Sequence, residues 1–172
     1  MKFKNNIKIL TQILNLEGVK VISHSQYRGV GIILQIESLK KCCICPRCGS
    51  KSHRLHQNHR YIIKDLPLGE QQVFLEINKR QFKCDKCKKP FTEELEFVDS
   101  RRKYTKRLAN KTIREVLDSD IHSVAEKGIV TNREIERMLK DASKNVFFKK
   151  PSYLKRLGID EIALVKGKGN YC

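Results

Sequence analysis

The sequence predicts an α+β protein, with a small β region in its first half and a helical region in its second. Three observations carry that prediction. Two C-x-x-C pairs, Cys45-Pro46-Arg47-Cys48 and Cys84-Asp85-Lys86-Cys87, are flanked by runs of β-branched and aromatic residues with turn chemistry between them. Beyond Arg101 that pattern gives way to apolar residues at helical spacing. Basic residues run through the whole chain, 36 Lys+Arg against 19 Asp+Glu, for a net charge of +17.

Residues Ile7, Leu10, Ile13, Leu14 and Leu16 recur at near-helical spacing and Gly18 follows as a stop, so a short helix is expected first. Val19–Ile22 and Val30–Ile36 are β-branched runs parted by a polar break with Gly29, which predicts a pair of strands. Tyr61–Leu66 and Val73–Asn78 predict two more strands around Pro67-Leu68-Gly69. Residues 1–41 are thus expected to be a helix and hairpin, and residues 42–98 a second unit built on the cysteines.

Two cysteines at i and i+3 bite one ion because the turn between them aims both sulfurs the same way, and two such turns complete a tetrahedral Zn2+ site. Cys45, Cys48, Cys84 and Cys87 are the expected ligands, which makes residues 42–98 a zinc ribbon. A thioredoxin-like redox pair needs a single C-x-x-C in a βαβ setting, and a disulfide framework expects a secreted chain. Neither context is visible: the start carries no signal-peptide pattern, and seven cysteines is an odd number. Cys42 also forms a C-x-x-C with Cys45, but Pro46 stiffens the turn after Cys45 and Gly49 supplies a left-handed position after Cys48. In the second knuckle Lys88 stands where that glycine would be. His53, His56 and His59, at i, i+3 and i+6, are expected on the surface, because four cysteines already satisfy the ion.

The charge is spread: 7 basic against 2 acidic residues in 1–41, 11 against 7 in 42–98, 14 against 8 in 99–150 and 4 against 2 in 151–172. Such an excess favours a polyanion, since basic side chains displace condensed counterions from a phosphate backbone. A membrane surface would require a basic amphipathic helix with large apolar anchors, and no stretch is long enough to span a bilayer. Residues 99–150 concentrate the pattern. Arg101, Arg102, Lys103, Lys106 and Arg107 open a helix whose apolar positions are Leu108, Ala109, Thr112, Ile113, Val116 and Leu117. A second short helix is expected through Val124 and Ala125 until Gly128. Thr131 then reads as an N-cap with Glu134 as its capping-box partner, followed by an apolar stripe of Ile135, Met138, Leu139 and Ala142. The other face of that helix carries Arg133, Arg137, Lys140 and Lys144. Helix, turn and basic helix match a helix-turn-helix, whose second helix would present Thr131, Asn132, Arg133 and Arg137 to a DNA groove, with Lys140 and Lys144 on the backbone, although an ordinary helical hairpin with solvated cations has the same pattern.

Pro151 closes the helical region, and Leu157–Val165 is an apolar run interrupted by Asp160 and Glu161. Such acids are either solvated on a half-exposed strand or placed to hold a divalent metal, and the pattern alone leaves both open.

Cys45–Gly49, the Asp65-Leu66-Pro67 turn, Cys84–Cys87 with Phe91-Thr92-Glu93, the basic helix-turn-helix and Leu157-Gly158-Ile159-Asp160-Glu161 together resemble the N-terminal portion of bacterial insertion-sequence transposases of the ISL-three family. The resemblance implies that residues 151–172 begin a DDE catalytic core of RNase H-like fold, with Asp160, and not Glu161, as the first of three metal-binding acids. It implies Mg2+ for a full-length core, terminal inverted repeats as DNA partner, self-association or association with a full-length transposase, and a bacterial cytoplasmic, nucleoid-associated location. The later Asp and Glu of that triad are not among these 172 residues. One carboxylate cannot hold two metal ions, so the chain by itself is expected to bind DNA without cutting or joining it. Two other classes remain: a non-enzymatic regulator or inhibitor of transposition built from the same modules, and a zinc-stabilised interaction module without a DNA role. In this chain Ile129 stands where the family's turn glycine is expected, with Gly128 one place earlier.

Overall fold

The computed structural model describes residues 3–146, and among these the chain is a mixed α/β protein with four helices, a five-stranded sheet and a two-stranded sheet. Helix α1 (Phe3–Leu14) starts earlier than the apolar spacing suggests. It turns Leu14 into the core and half-buries Ile7 and Leu10, while Ile13 stays 59 % exposed. Asn15 ends it at φ 44, a left-handed position that Asn tolerates better than most residues.

Strands β1 (Val19–Tyr27) and β2 (Gly31–Ser38) form the expected antiparallel hairpin. The second expected pair is longer than its β-branched runs: β5 (Leu55–Leu68) and β6 (Gln71–Lys83). Pro67 lies within β5, at a register shift between Asp65 and Leu68, and the reversal falls on Gly69 and Glu70. Short β3 (Cys43–Ile44) pairs with β4 (Lys51–Ser52), and β7 (Pro90–Thr92) pairs with the far end of β6.

The sheet order β1-β2-β6-β5 joins the hairpin of residues 1–41 to the ribbon of residues 42–98. β2 runs parallel to β6, from Ile32 opposite Val73 to Ile36 opposite Ile77. Gly31 permits the approach: at φ 123, a Cβ there would lie 2.2 Å from the Gln72 carbonyl oxygen. One face of the sheet is apolar. Val19, Val21, Leu34, Ile36, Ile63, Val73, Leu75 and Ile77 are buried together with Leu14 of α1 and with Leu95 and Val98 of the segment after β7.

Helices α2 (Lys106–Leu117), α3 (Ile121–Glu126) and α4 (Asn132–Val146) lie in the expected order, but α2 begins only at Lys106, so that Arg101, Arg102 and Lys103 precede it, and Leu117 of its expected apolar positions is 76 % exposed. Each start is capped by the residue before it. Thr105 Oγ1 accepts from the Leu108 N–H at 3.3 Å, Asp120 Oδ1 from the Ser123 N–H at 3.0 Å, and Thr131 Oγ1 from the Glu134 N–H at 3.3 Å. The positive φ of the α3–α4 turn falls on Gly128, at 76°, and Ile129 is spared it. Residues up to Met138 form one compact unit, and the turns of α4 from Leu139 onward belong to a second, in which Lys144 pairs with Asp141 at 3.1 Å.

Candidate metal centre and nucleic-acid interface

The two cysteine pairs sit on two knuckles that the short strands bring together. In the first, between β3 and β4, the Cys45 N–H donates to Ser50 O and the Gly49 N–H to Cys45 O, both at 2.9 Å. Gly49 takes the left-handed position at φ 70. In the second, between β6 and β7, the Cys84 N–H donates to Lys89 O at 3.1 Å, and Lys88 takes the corresponding left-handed position at φ 59. The hairpin of the first knuckle is tied to β6 by Ser52 Oγ donating to Lys83 O at 2.7 Å and the Lys83 N–H donating to Arg54 O at 2.9 Å. Beneath the sulfurs lie Phe82 and Phe91, with ring centroids 6.1 Å apart.

The four Sγ atoms of Cys45, Cys48, Cys84 and Cys87 lie within 4.8 Å of one another, with Cys45–Cys87 at 3.7 Å and Cys48–Cys84 at 3.4 Å. A tetrahedron with Zn–S bonds of about 2.3 Å has sulfurs about 3.8 Å apart, so the donor set fits Zn2+ in both chemistry and size. All four positions are taken by protein, which is the closed arrangement of a structural ion. Without metal the thiols differ. Hydrogen bonds from Ser50, and then from Cys84, pull Cys48 down to about 6. At Cys84 the Cys87 N–H favours the thiolate, but burial and the neighbouring Cys48 and Cys87 outweigh it and push the thiol up to about 11. Cys42 and Cys43 stand outside the cluster, and burial raises the Cys43 thiol. His53, His56 and His59 are exposed, as expected.

Behind the knuckle, buried Glu93 accepts from the Arg80 N–H at 2.7 Å and from the Arg80 guanidinium at 2.6 Å. Arg80 in turn donates to Lys40 O at 2.7 Å and Ser38 Oγ at 2.9 Å, which ties β7 to the end of β2. Glu93 is therefore structural.

The helical region is fastened to the sheet through β5. The Lys64 N–H donates to Lys103 O at 2.8 Å and the Thr105 N–H donates back to Lys64 O at 2.9 Å. The side chains on either side of that bridge are ion-paired. Asp65, 2 % exposed, accepts from Thr105 Oγ1 at 2.7 Å, from Arg107 Nε at 2.8 Å and from Arg107 Nη2, while Arg107 Nη1 reaches Leu14 O at 2.7 Å. Lys64 Nζ lies 2.8 Å from Glu134 Oε2, which also accepts from the Thr131 N–H at 2.9 Å. Burial alone would raise the Glu134 carboxyl, but Lys64 and Thr131 outweigh it and hold it below its ordinary range.

These contacts sort the expected DNA-contacting residues. Arg107 is half-buried and its guanidinium is paired with Asp65, a partner far away in sequence that its spacing among Arg101, Arg102, Lys103 and Lys106 does not reveal. Arg101, Lys103 and Lys106 are exposed and Arg102 is half-buried, with Lys106 3.6 Å from Asp99. On α4, Ile135 and Met138 are buried, whereas Thr131, Asn132, Arg133, Arg137, Lys140 and Lys144 are exposed. Among the described residues no helix is long and apolar enough to cross a membrane. Asp160, and with it all of residues 151–172, lies outside the described residues.

Residues 42–87 match a protein family described as the zinc-finger of transposase IS204/IS1001/IS1096/IS1165. Over 155 residues the chain is 26 % identical to the transposase for insertion sequence element IS1001 from Bordetella parapertussis, an alignment that covers 87 % of this chain and 37 % of that protein. The chain therefore spans little more than a third of the length of the curated relative it matches. No solved structure matches. The motif-level resemblance to insertion-sequence transposases is thus met by a zinc ribbon of the same type and by similarity along most of the chain.

Proposed function

We propose that this chain is the DNA-binding N-terminal portion of an insertion-sequence transposase, with α3, its turn and α4 acting as a helix-turn-helix that recognises the element's terminal inverted repeats. The observation that carries the reading is α4. Ile135 and Met138 are buried while Arg133 and Arg137 are exposed, its first turn is fixed by the Thr131–Glu134 capping box and the Lys64–Glu134 pair, and Lys140 and Lys144 are exposed in its later turns. A helix held by its N-terminus and basic along its free side is suited to enter a major groove N-terminus first.

In this reading Thr131, Asn132, Arg133 and Arg137 meet base edges and the nearest phosphates. Arg101, Arg102, Lys103, Lys106, Lys140 and Lys144 lie along the backbone. The zinc ion takes no part in chemistry and holds the ribbon end of the sheet together. Catalysis belongs to the acid series that the resemblance begins at Asp160, with Mg2+ as its ion. A second transposase chain is the protein partner that goes with this function, and bacterial DNA sets its place in the cell.

The test is binding of labelled terminal-repeat DNA by the zinc-loaded chain across a salt series. Arg133→Ala and Arg137→Ala should alter the preference between related sequences, whereas Lys140→Ala and Lys144→Ala should weaken binding to all sequences alike. Each lost phosphate contact should flatten the plot of log affinity against log salt by about 0.9. Affinity that does not change with salt would sink the reading.

A further inference from the structure

The charge of the zinc ribbon is sharply divided. Of the 11 basic residues in 42–98, all but Lys64 fall in the segments 47–60 and 78–89, where Asp85 is the only one of the 7 acids. These segments are the knuckles and the paired far halves of β5 and β6. Arg47, Lys86, Lys88 and Lys89 have a local reason to be there, because Zn2+ with four thiolates carries a net negative charge.

Lys79, five residues before Cys84, does not have that reason. Side chains alternate across a strand, so the face of β6 that buries Val73, Leu75 and Ile77 continues past Ile77 as Lys79, Gln81 and Lys83. His59 and Gln57 of β5 pair with Lys79 and Gln81, and Thr92 of β7 pairs with Gln81 from the other side. His59, Gln57 and Thr92 are exposed, and Gln57 Nε2 donates to Gln81 Oε1 at 2.8 Å. The opposite face lacks this character: Arg60 is paired with Glu76 at 2.5 Å and Arg80 with Glu93 at 2.6 Å. No ion pair among the described residues engages Lys79 or Lys83.

We propose that this polar face of β5, β6 and β7, with Lys79 and Lys83 as its cations, is a second contact surface for duplex DNA, separate from α4. The proposal rests on the reading of the chain as a DNA-binding protein. Tyr61 links the face to the basic segment before α2, since its ring lies 5.0 Å beneath Lys79 Nζ and its hydroxyl donates to Arg102 O at 2.6 Å. A basic path thus leads from the second knuckle along β6 to Arg101, Arg102 and Lys103. Duplex fits this surface better than single strands, which need open aromatic rings to stack on. Here the one ring is half-buried and lies under a lysine. The contact is to phosphates, because the charges are lysines, which act as point charges, and the amides are already bonded to each other.

The experiment compares the full zinc-loaded chain with Lys79→Gln/Lys83→Gln and Lys79→Arg/Lys83→Arg in DNA binding across a salt series and in hydroxyl-radical footprinting. The Gln pair should flatten the salt slope by about 1.8, lower affinity roughly 60-fold near 0.1 M salt and shorten the footprint at one end, with sequence preference unchanged. The Arg pair should keep the slope of the parent. If the Lys83 change lowers zinc content through its neighbour Cys84, Lys79→Gln alone serves, with a slope change of about 0.9. A parental slope and footprint in the Gln pair, alongside impaired Arg133→Ala/Arg137→Ala, overturn this surface and leave the helix reading standing. Absence of salt-dependent DNA binding by the parent overturns both, and a loss confined to RNA or single-stranded DNA overturns the duplex assignment.

Discussion

Replacing Asp65 by Ala should be among the most damaging single changes in the described region. The carboxylate side chain is 1 % exposed and bonds to an Arg107 side chain that is 32 % exposed. Removing one member of a buried pair leaves the other charged and unmatched, which costs about 3–5 kcal/mol. Arg107 keeps partial access to water, so its share lies near the lower end, about 3 kcal/mol. Thr105, fully buried, also loses the acceptor of its hydroxyl, for about 1 kcal/mol more. Arg107→Ala strands the more deeply buried partner and should cost about 4–5 kcal/mol. The double variant should fall short of the sum by about 2–3 kcal/mol, since each substitution removes the same interaction. Urea unfolding of zinc-saturated protein, with constant m-values, gives all four corners of the cycle. Additive effects would refute the pairing. So would a stable Arg107→Ala protein whose DNA salt slope drops by about 0.9, since that is the behaviour of a phosphate contact.

Cys48→Ser and Cys87→Ser should lose zinc, while Cys42→Ser and Cys43→Ser should retain it, as metal analysis would show. Zinc binding should release protons, because every ligand is a thiolate when bound, and at pH 7 Cys84, at about 11, still has its proton. Below about pH 6 Cys48 also takes up a proton, so the decline of apparent affinity with falling pH should steepen there in a competition titration. Thr131→Ala should destabilise the start of α4 by about 1 kcal/mol in thermal or urea unfolding. Since the Glu134 carboxyl is lowered in the folded chain, its contribution is present above the ordinary value of about 4.3 and is lost as pH falls through the native value; Glu134→Gln should remove that part of the acid sensitivity. Gly31→Ala should cost about 2–3 kcal/mol, because the new Cβ meets the Gln72 carbonyl at a left-handed φ, and a loss below about 0.5 kcal/mol would contradict the β2–β6 register.

Features whose physics is local were legible in the sequence. A C-x-x-C turn closes within a few residues, so Cys45, Cys48, Cys84 and Cys87 identified the zinc site, and Gly49 and Lys88 marked the left-handed positions found at φ 70 and φ 59. The capping box spans the three steps from Thr131 to Glu134, helical periodicity placed the body of α2 and α4, and Gly128 marked the end of α3. What only the tertiary structure decided lies between residues distant in sequence. The parallel pairing of β2 with β6 leaves no trace in either strand beyond Gly31. The Asp65–Arg107 and Lys64–Glu134 pairs bridge separations of 42 and 70 residues. Charge spacing alone made Arg107 one cation among five. Whether a guanidinium faces a phosphate or a buried carboxylate depends on what the fold places within bonding distance, and no local pattern encodes that distance.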